Sequence, residues 1–491
     1  MTEKQTNLSE KGSRCRICTG CGRCFGKKKM DAVSAFCVEE GISCESAAGS
    51  VAERRERERL CALEREKARR GGEVAAGQED FLCVVDIGTT TVAMQLRSLQ
   101  DGKVFDTFTC LNPQGKYGAD VLSRIGAAEN PQTKKAMYRE IREVLNTGIL
   151  QFQKTLDRLC LHPEKKGIEK ASLLPKQEGA GEVALSGRDK ETRKLCGIVI
   201  AANTTMVHLL MDLDVSLLGK YPFQPETLSE IHTSLFEIPA VILPGISAFV
   251  GADISAGIYA LSMHERQEVT LLLDLGTNGE MVLGNRERMI ATAAAAGPAF
   301  EGNAENYGTD LMALAARLLE EGILDETGLL AEPYFEEGID IGGVRLTQSY
   351  IRQLQMAKAA VRTGIRILCE KYGLESPAQI DKVFLAGGMG YYLSSEAAAR
   401  IGLLPAELAG KTVAVGNAAL EGAFWYGRRI LWQEISAEGE NTAAGKPLQT
   451  GIISAAGILP PLRTEVFNLA EEPQFSERYV QEMNFPAAGE S

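Results

Sequence analysis

No stretch of this 491-residue chain approaches the roughly 20 consecutive apolar residues that a membrane-crossing helix needs, so a helical integral membrane protein is excluded. Positive charge is in deficit: 53 Lys and Arg against 65 Asp and Glu leave a formal net charge of −12. That balance argues against nucleic acid or an anionic lipid surface as the main partner. The polar start MTEKQTNLSEKGS lacks the apolar stretch of a signal peptide. Together these absences predict a cytoplasmic protein, whose 12 cysteines are expected as thiols or metal ligands rather than disulfides. Disorder throughout is excluded as well, since 45% apolar residues suffice for large buried cores, and the length suggests about three domains.

What is present begins with sulfur. Cys15, Cys18, Cys21, Cys24, Cys37 and Cys44 crowd the first 44 residues, and residues 15–24 read CRICTGCGRC. Four thiols at three-residue steps, with Gly20 and Gly22 between them, form a donor set for a soft or borderline metal centre. An iron–sulfur cluster, of the 4Fe-4S type, is the leading expectation for Cys15, Cys18, Cys21 and Cys24. The ferredoxin run ends in a three-residue gap and a proline; here the last gap is two residues and Phe25 follows, so Cys37 or Cys44 could replace one of the four as a ligand. A structural zinc or uncoordinated thiols are the alternatives. Residues 53–70, ERRERERLCALEREKARR, alternate in sign without Gly or Pro and predict a solvated spacer helix, broken by GGEVAAGQED at 71–80.

The rest of the chain is organised around a repeated phrase. LCVVDIGTTT (82–91) and LLLDLGTNGE (271–280) each run an apolar strand into Asp-x-Gly-Thr. Gly88 and Gly276 permit a tight turn and close approach, while Thr89, Thr90, Thr277 and Asn278 follow as donors to phosphate oxygens. Asp86 and Asp274 are expected to hold Mg²⁺, directly or through its waters. The bland reading of each copy is a hairpin turn without a ligand. VFLAGGMG (383–390) adds a strand that runs into Gly387 and Gly388, where a nucleotide could lie directly on backbone. Asp253, in FVGADISAGIYAL, is expected either to activate a water or to cap a helix, and Glu301 lies in a cleft loop. Asp120 is placed at a helix start, Asn203 or Thr204 at another, and helices are predicted over 137–156 and 347–372. His208, among apolar neighbours, reads as a packed histidine.

The order of two phosphate turns and a double glycine resembles the ATPase superfamily of sugar kinases, actin and the seventy-kilodalton heat-shock chaperones. Within it, the chain is similar to the reductive activators of corrinoid proteins, through DIGTTTV, NPQGKYGADVLSRI, ANTTMVHLL, PGISAFVGADISAGIYA, DLGTNGEMVLG, AAGPAFEG, QLQMAKAAVRTGI, VFLAGGMG, IGLLP and VGNAALEGA. Ala202 and Met389 depart from the glycine and phenylalanine of those motifs.

The resemblance implies an α/β protein with two ribonuclease-H-like half-domains forming an actin-like ATPase core. The expected organisation is a Cys-rich segment (1–45), a charged helical linker (46–80), a first half (81–240, with an insertion at 160–195), a second half (241–430) and a C-terminal extension (431–491). It further implies ATP, Mg²⁺ and an iron–sulfur cluster as cofactors, with Asp86, Gly88, Thr89, Asp274, Gly276, Thr277, Gly387 and Gly388 at the nucleotide. The implied activity reduces Co(II) to Co(I) on a corrinoid protein of a methyltransferase system, fed by an external low-potential electron donor. Neither nucleic acid nor membrane enters, and a homodimer is left open. The alternatives are an activator of another low-potential metalloenzyme, a small-molecule kinase of the same superfamily, and a nucleotide-dependent scaffold with a zinc knuckle.

Overall fold

The computed structural model describes residues 80–161, 193–302, 306–387, 393–439 and 464–487. Cys15, Cys18, Cys21, Cys24, the expected linker helix at 53–70, most of the expected insertion and Gly388 lie outside these residues.

The first sheet is built from β1 (Asp80–Ile87), β2 (Thr91–Ser98), β3 (Val104–Leu111), β4 (Lys194–Ala202), β5 (Ile231–Leu235) and β6 (Ile238–Ile242), in the order β3-β2-β1-β4-β6-β5. β1 to β3 form the antiparallel meander expected from the turn at Asp101–Lys103, and β1 then runs parallel to β4. β1 is buried almost throughout because it is central and covered on both faces. On one face lie the helices α1 (Val121–Ala128), α2 (Pro131–Leu161) and α3 (Thr204–Leu210). Met137, Ile141, Leu145, Ile149, Phe152 and Leu156 of α2 recur every three or four residues and pack on Val85, Ile87 and Met94. This helix starts six residues before the predicted 137. Pro131 sits at its first position, and the Asn130 side chain accepts hydrogen bonds from Gln132 N and Thr133 N.

The chain crosses to the second half through α4 (Ala252–Ala260). The second sheet contains β7 (Thr270–Leu275), β8 (Gly279–Gly284) and β9 (Met289–Ala294) as another antiparallel meander, capped by α5 (Gly308–Glu320) and α6 (Tyr334–Glu337). A small hairpin, β10 (Ile339–Ile341) and β11 (Val344–Leu346), leads to the long α7 (Gln348–Tyr372), which begins within one residue of the helix predicted there. Then follow β12 (Lys382–Ala386), α8 (Ser395–Arg400), β13 (Thr412–Gly416), α9 (Ala418–Gly439), β14 (Thr464–Val466) and α10 (Phe475–Gln481). The sheet order is β13-β12-β7-β8-β9-β14, with β7 parallel to β12. The same motif is thus present twice: a meander whose first strand runs parallel to a later one.

α4 and α9 fill the space between the sheets, which explains why α4 is buried almost all the way round, with Asp253 its one charged residue. Ala252, Ala256 and Tyr259 join Leu82, Val84 and Val199 of the first sheet, whereas Ile254 and Ile258 join Leu272, Val282 and Phe384 of the second. α9 returns from the second sheet to pack Phe424 and Tyr426 on the first. The two helices approach so closely that a Cβ on Gly422 would stand 1.8 Å from the carbonyl oxygen of Ala256. Arg97, from β2, stacks 4.1 Å over the Phe424 ring and pairs with Glu421, one residue before that glycine.

Gly422→Ala must therefore force α4 and α9 apart, and is expected to cost about 1–3 kcal/mol in urea unfolding. Gly126→Ala, at an exposed position of α1 with nothing within 4 Å of the new methyl, is expected to gain about 0.5–1 kcal/mol.

Candidate nucleotide site at the seam of the two sheets

Both Asp-x-Gly-Thr phrases end their strands at the same seam. In the first, Gly88 N–H donates to Thr91 O (2.9 Å), and Asn112 braces the turn by donating to Gly88 O (2.8 Å). In the second, Gly276 N–H donates to Asn278 O (2.9 Å). The glycine amides thus close the hairpins, and the threonine hydroxyls face the gap. Thr90 Oγ1 and Thr277 Oγ1 stand 3.1 Å apart, one from each sheet. Both donate to one oxygen of Glu301, at 2.9 and 2.6 Å. Thr89 is held within its own half: its hydroxyl accepts from Asn203 Nδ2 (3.2 Å), and its carbonyl accepts from the buried Arg124. Burial lowers the Arg124 guanidinium to about 10.

Behind the hydroxyls the carboxylates gather. Burial pushes Asp86 up to about 7; the Asn417 amide, donating to it at 2.6 Å, opposes the shift and the Asp253 charge adds to it. Burial raises Asp274 to about 8, helped by the charges of Asp253 and Asp86. Asp253 is raised by burial to about 6. It is not the cap of α4. Gly251 holds that position, and Asp253 lies in the first turn, accepting from Ile254 N at 2.9 Å. Glu280 stands well above its usual range through burial and then the Asp253 and Asp274 charges, with an opposing hydrogen bond from Asn278.

Gly387 completes the seam. At φ +91° it occupies backbone space that a side chain resists, and a Cβ there would meet Leu275 O at 2.5 Å and Asp274 Oδ1 at 2.8 Å. Asp274 therefore lies against bare backbone.

Among the described residues no three acidic, Cys or His side chains close on one point as a complete metal cage would. Half-buried carboxylates that raise one another's pKa, beside two threonine hydroxyls, fit a cation that keeps its waters and shares them with phosphates, which is the habit of Mg²⁺.

Sequence reasoning overlooked Glu280 and Asn417. Glu280 could have been found by counting residues, because β7 and β8 pair antiparallel with Asp274 opposite Glu280, which puts both on one face. Asn417 carried no comparable signal, since its partner Asp86 lies 331 residues away.

The chain resembles known proteins along most of its length. Residues 82–159 and 179–266 match the RACo middle region, and residues 268–321 and 308–430 match the C-terminal domain of RACo, the ASKHA domain. The chain belongs to the reductive activators of corrinoid proteins. It is 28% identical over 471 residues to the corrinoid activation enzyme RamQ of Eubacterium limosum, covering 82% of this chain and 69% of that one. It is 24% identical over 396 residues to the [Co(II) methylated amine-specific corrinoid protein] reductase of Methanosarcina barkeri, covering 68% of each. Among solved structures, a reductive activator for corrinoid, iron–sulfur protein superimposes with a TM-score of 0.62 at 25% identity, over 85% of this chain and 67% of that one. An activator with an actin-like ATPase fold accounts for the doubled sheet motif and the facing turns. No helix among the described residues is long and apolar enough to cross a membrane.

The carboxylates set a pH dependence. Asp86, Asp253 and Asp274 have folded values above the ordinary 3.8, so the folded state retains protons that the unfolded chain has lost. Their contribution to stability is therefore lost as pH rises from about 4 to about 8. In thermal melts of the metal-free protein this component is expected to weaken steadily over that range. Millimolar Mg²⁺ is expected to raise Tm more at about pH 8 than at about pH 5.5, and Asp274→Asn to shrink that difference.

Proposed function

We propose that the protein uses ATP to drive an electron onto the cobalt of a corrinoid protein, returning Co(II) to Co(I). The observation that carries this reading is the meeting of Thr90 and Thr277, from separate sheets, on the single carboxylate of Glu301, in a chain of the activator family. Two hydroxyls that converge on one anion are placed to converge on a terminal phosphate. That phosphate would take over both hydroxyls and release Glu301 beside it, where Glu301 or Asp253 can orient a water. Asp86 and Asp274 would hold Mg²⁺ with its waters; the cation would supply charge neutralisation between phosphates and carboxylates.

The turns belong to opposite sheets, so a phosphate held by both favours the closed arrangement of the halves. A ligand shifts a conformational equilibrium only through such differential contact. The thiols Cys15, Cys18, Cys21 and Cys24 form a donor set suited to an iron–sulfur cluster, which would supply a one-electron relay. In the overall reaction an external low-potential donor loses one electron, Co(II) gains it, and ATP is hydrolysed alongside. The scale is reasonable: an uphill step of ~150 mV corresponds to roughly 3.5 kcal/mol. The partner is a corrinoid protein of a methyltransferase system, and the setting is the cytoplasm.

Anaerobically purified protein is expected to contain iron and sulfide. With reductant and a Co(II) corrinoid protein it should form Co(I), followed by its visible spectrum, faster with ATP than without. Asp274→Asn is expected to remove the ATP-stimulated part and leave the iron content unchanged. Equal rates of Co(I) formation with and without ATP in the unmodified protein would overturn the coupling.

A further inference from the structure

Asn417 uses both ends of its amide. The oxygen accepts from Leu420 N (2.8 Å) and so caps α9; the nitrogen donates to Asp86 Oδ2 (2.6 Å) in the other half of the molecule. The orientation is fixed by chemistry, because a flipped amide would set its NH₂ against an N–H and its oxygen against a carboxylate. The residue before it belongs to the same junction. Gly416, at φ +69°, accepts from Gly387 N–H through its carbonyl oxygen at 3.1 Å. Two consecutive residues therefore touch the glycine that flanks Asp274, the Asp86 carboxylate of the first phosphate turn, and the start of α9. Within the next two turns, that helix carries the Glu421 pair with Arg97 and the Gly422 crossing against α4.

As a helix cap alone, Asn has no advantage over Asp or Ser, since all three cap about equally well. What Asn adds is a donor at its second end, and a carboxylate awaits it. We infer that Asn417 is a positioning residue for the ATPase reaction: it fixes Asp86 and ties that carboxylate to α9, so that nucleotide at the seam sets the position of the helix joining the halves. This role rests on the ATPase reading above. It gives phosphate binding a short path, one hydrogen bond from Asn417 to Asp86 and one residue along the chain to α9, into the element packed between the two sheets.

The test uses the full chain with Asn417→Ser and Asn417→Asp. Both substitutes keep a capping oxygen; Ser lacks the reach to Asp86, and Asp replaces the donor with a like charge. Asn417→Ser is expected to melt within about 3 °C of the parent, as an interchangeable cap should, and Asn417→Asp somewhat lower, because it sets a second carboxylate against Asp86. ATP hydrolysis should lose about tenfold or more in kcat for Asn417→Ser, the scale of a hydrogen bond to a charged group, and more for Asn417→Asp, with KM for ATP changed less than about threefold. Hydrogen exchange supplies a readout that lost stability would not imitate: ATP is expected to slow exchange at residues 418–422 in the parent and to have no effect there in either variant.

Parental kcat and an intact ATP effect on exchange in both variants would overturn the role of Asn417 and leave the ATPase reading standing, as would a fall in kcat that only follows a fall in Tm. A parent protein that neither binds nor hydrolyses ATP would overturn the ATPase reading, and this role with it.

Discussion

Like charges brought together at a seam are the constraint from which the rest of this structure follows. Asp86 and Asp274 end strands of different sheets, and Asp253 opens a helix that leads from one to the other. Each is half-buried, burial raises the pKa of each, and the neighbours' charges add to the rise in Asp86 and Asp274. Repulsion of this kind separates two bodies unless something stronger holds them. Here the holding is apolar and close-packed: α4 divides its circumference between the two sheets, and α9 crosses it with only a glycine hydrogen between Gly422 and the Ala256 carbonyl. Burial on that scale outweighs an electrostatic penalty that protons or a divalent cation can relieve. The molecule thereby keeps several carboxylates together at the seam of its two sheets.

Much of this was legible in the sequence, for identifiable reasons. Short apolar runs ending in Asp-x-Gly-Thr mark central strands because such strands are covered on both faces, and β1 and β7 are. The meander after β1 announced itself through alternation and the turn at Asp101–Lys103. The reading of His208 as a packed side chain also agrees with its surroundings: Nδ1 meets Thr204 O at 2.8 Å, and Nε2 accepts from Glu226 N at 3.0 Å. Helix limits were less legible. α2 reached back to Pro131 because its start depends on the Asn130 cap, a local hydrogen bond that hydrophobic periodicity does not register.

The site was legible only where its parts are local. Asp, Gly and Thr within four residues announce a turn, and their chemistry can be read without knowing the fold. Asn417 to Asp86 and Thr90 to Glu301 are contacts between distant segments, and no spacing rule connects them. Thr89 shows the reverse. The pattern treats it like its neighbour, yet the Thr89 hydroxyl meets Asn203 of its own half while Thr90 meets Thr277 and Glu301 of the other.

The two halves share a topology but differ at the positions that matter for a ligand. In each, the Asp at the strand end pairs with an alanine of the parallel neighbour, Asp86 with Ala201 and Asp274 with Ala386. The next residue is Ala202 in the first half and Gly387, at positive φ, in the second. Across the hairpin, Asp86 faces Ala93, whereas Asp274 faces Glu280. A pseudo-symmetric seam has thus been made one-sided: the second half supplies both the bare backbone and the additional carboxylate, while the first contributes a plainer turn. In the second half the bare backbone of Gly387 lets Asp274 and the Leu275 carbonyl close in on it, at 2.8 and 2.5 Å from where a Cβ would stand. In the first half the glycine of the close approach is Gly251 instead, where a Cβ would meet Asn203 Cα at 2.6 Å and Ala202 O at 2.8 Å.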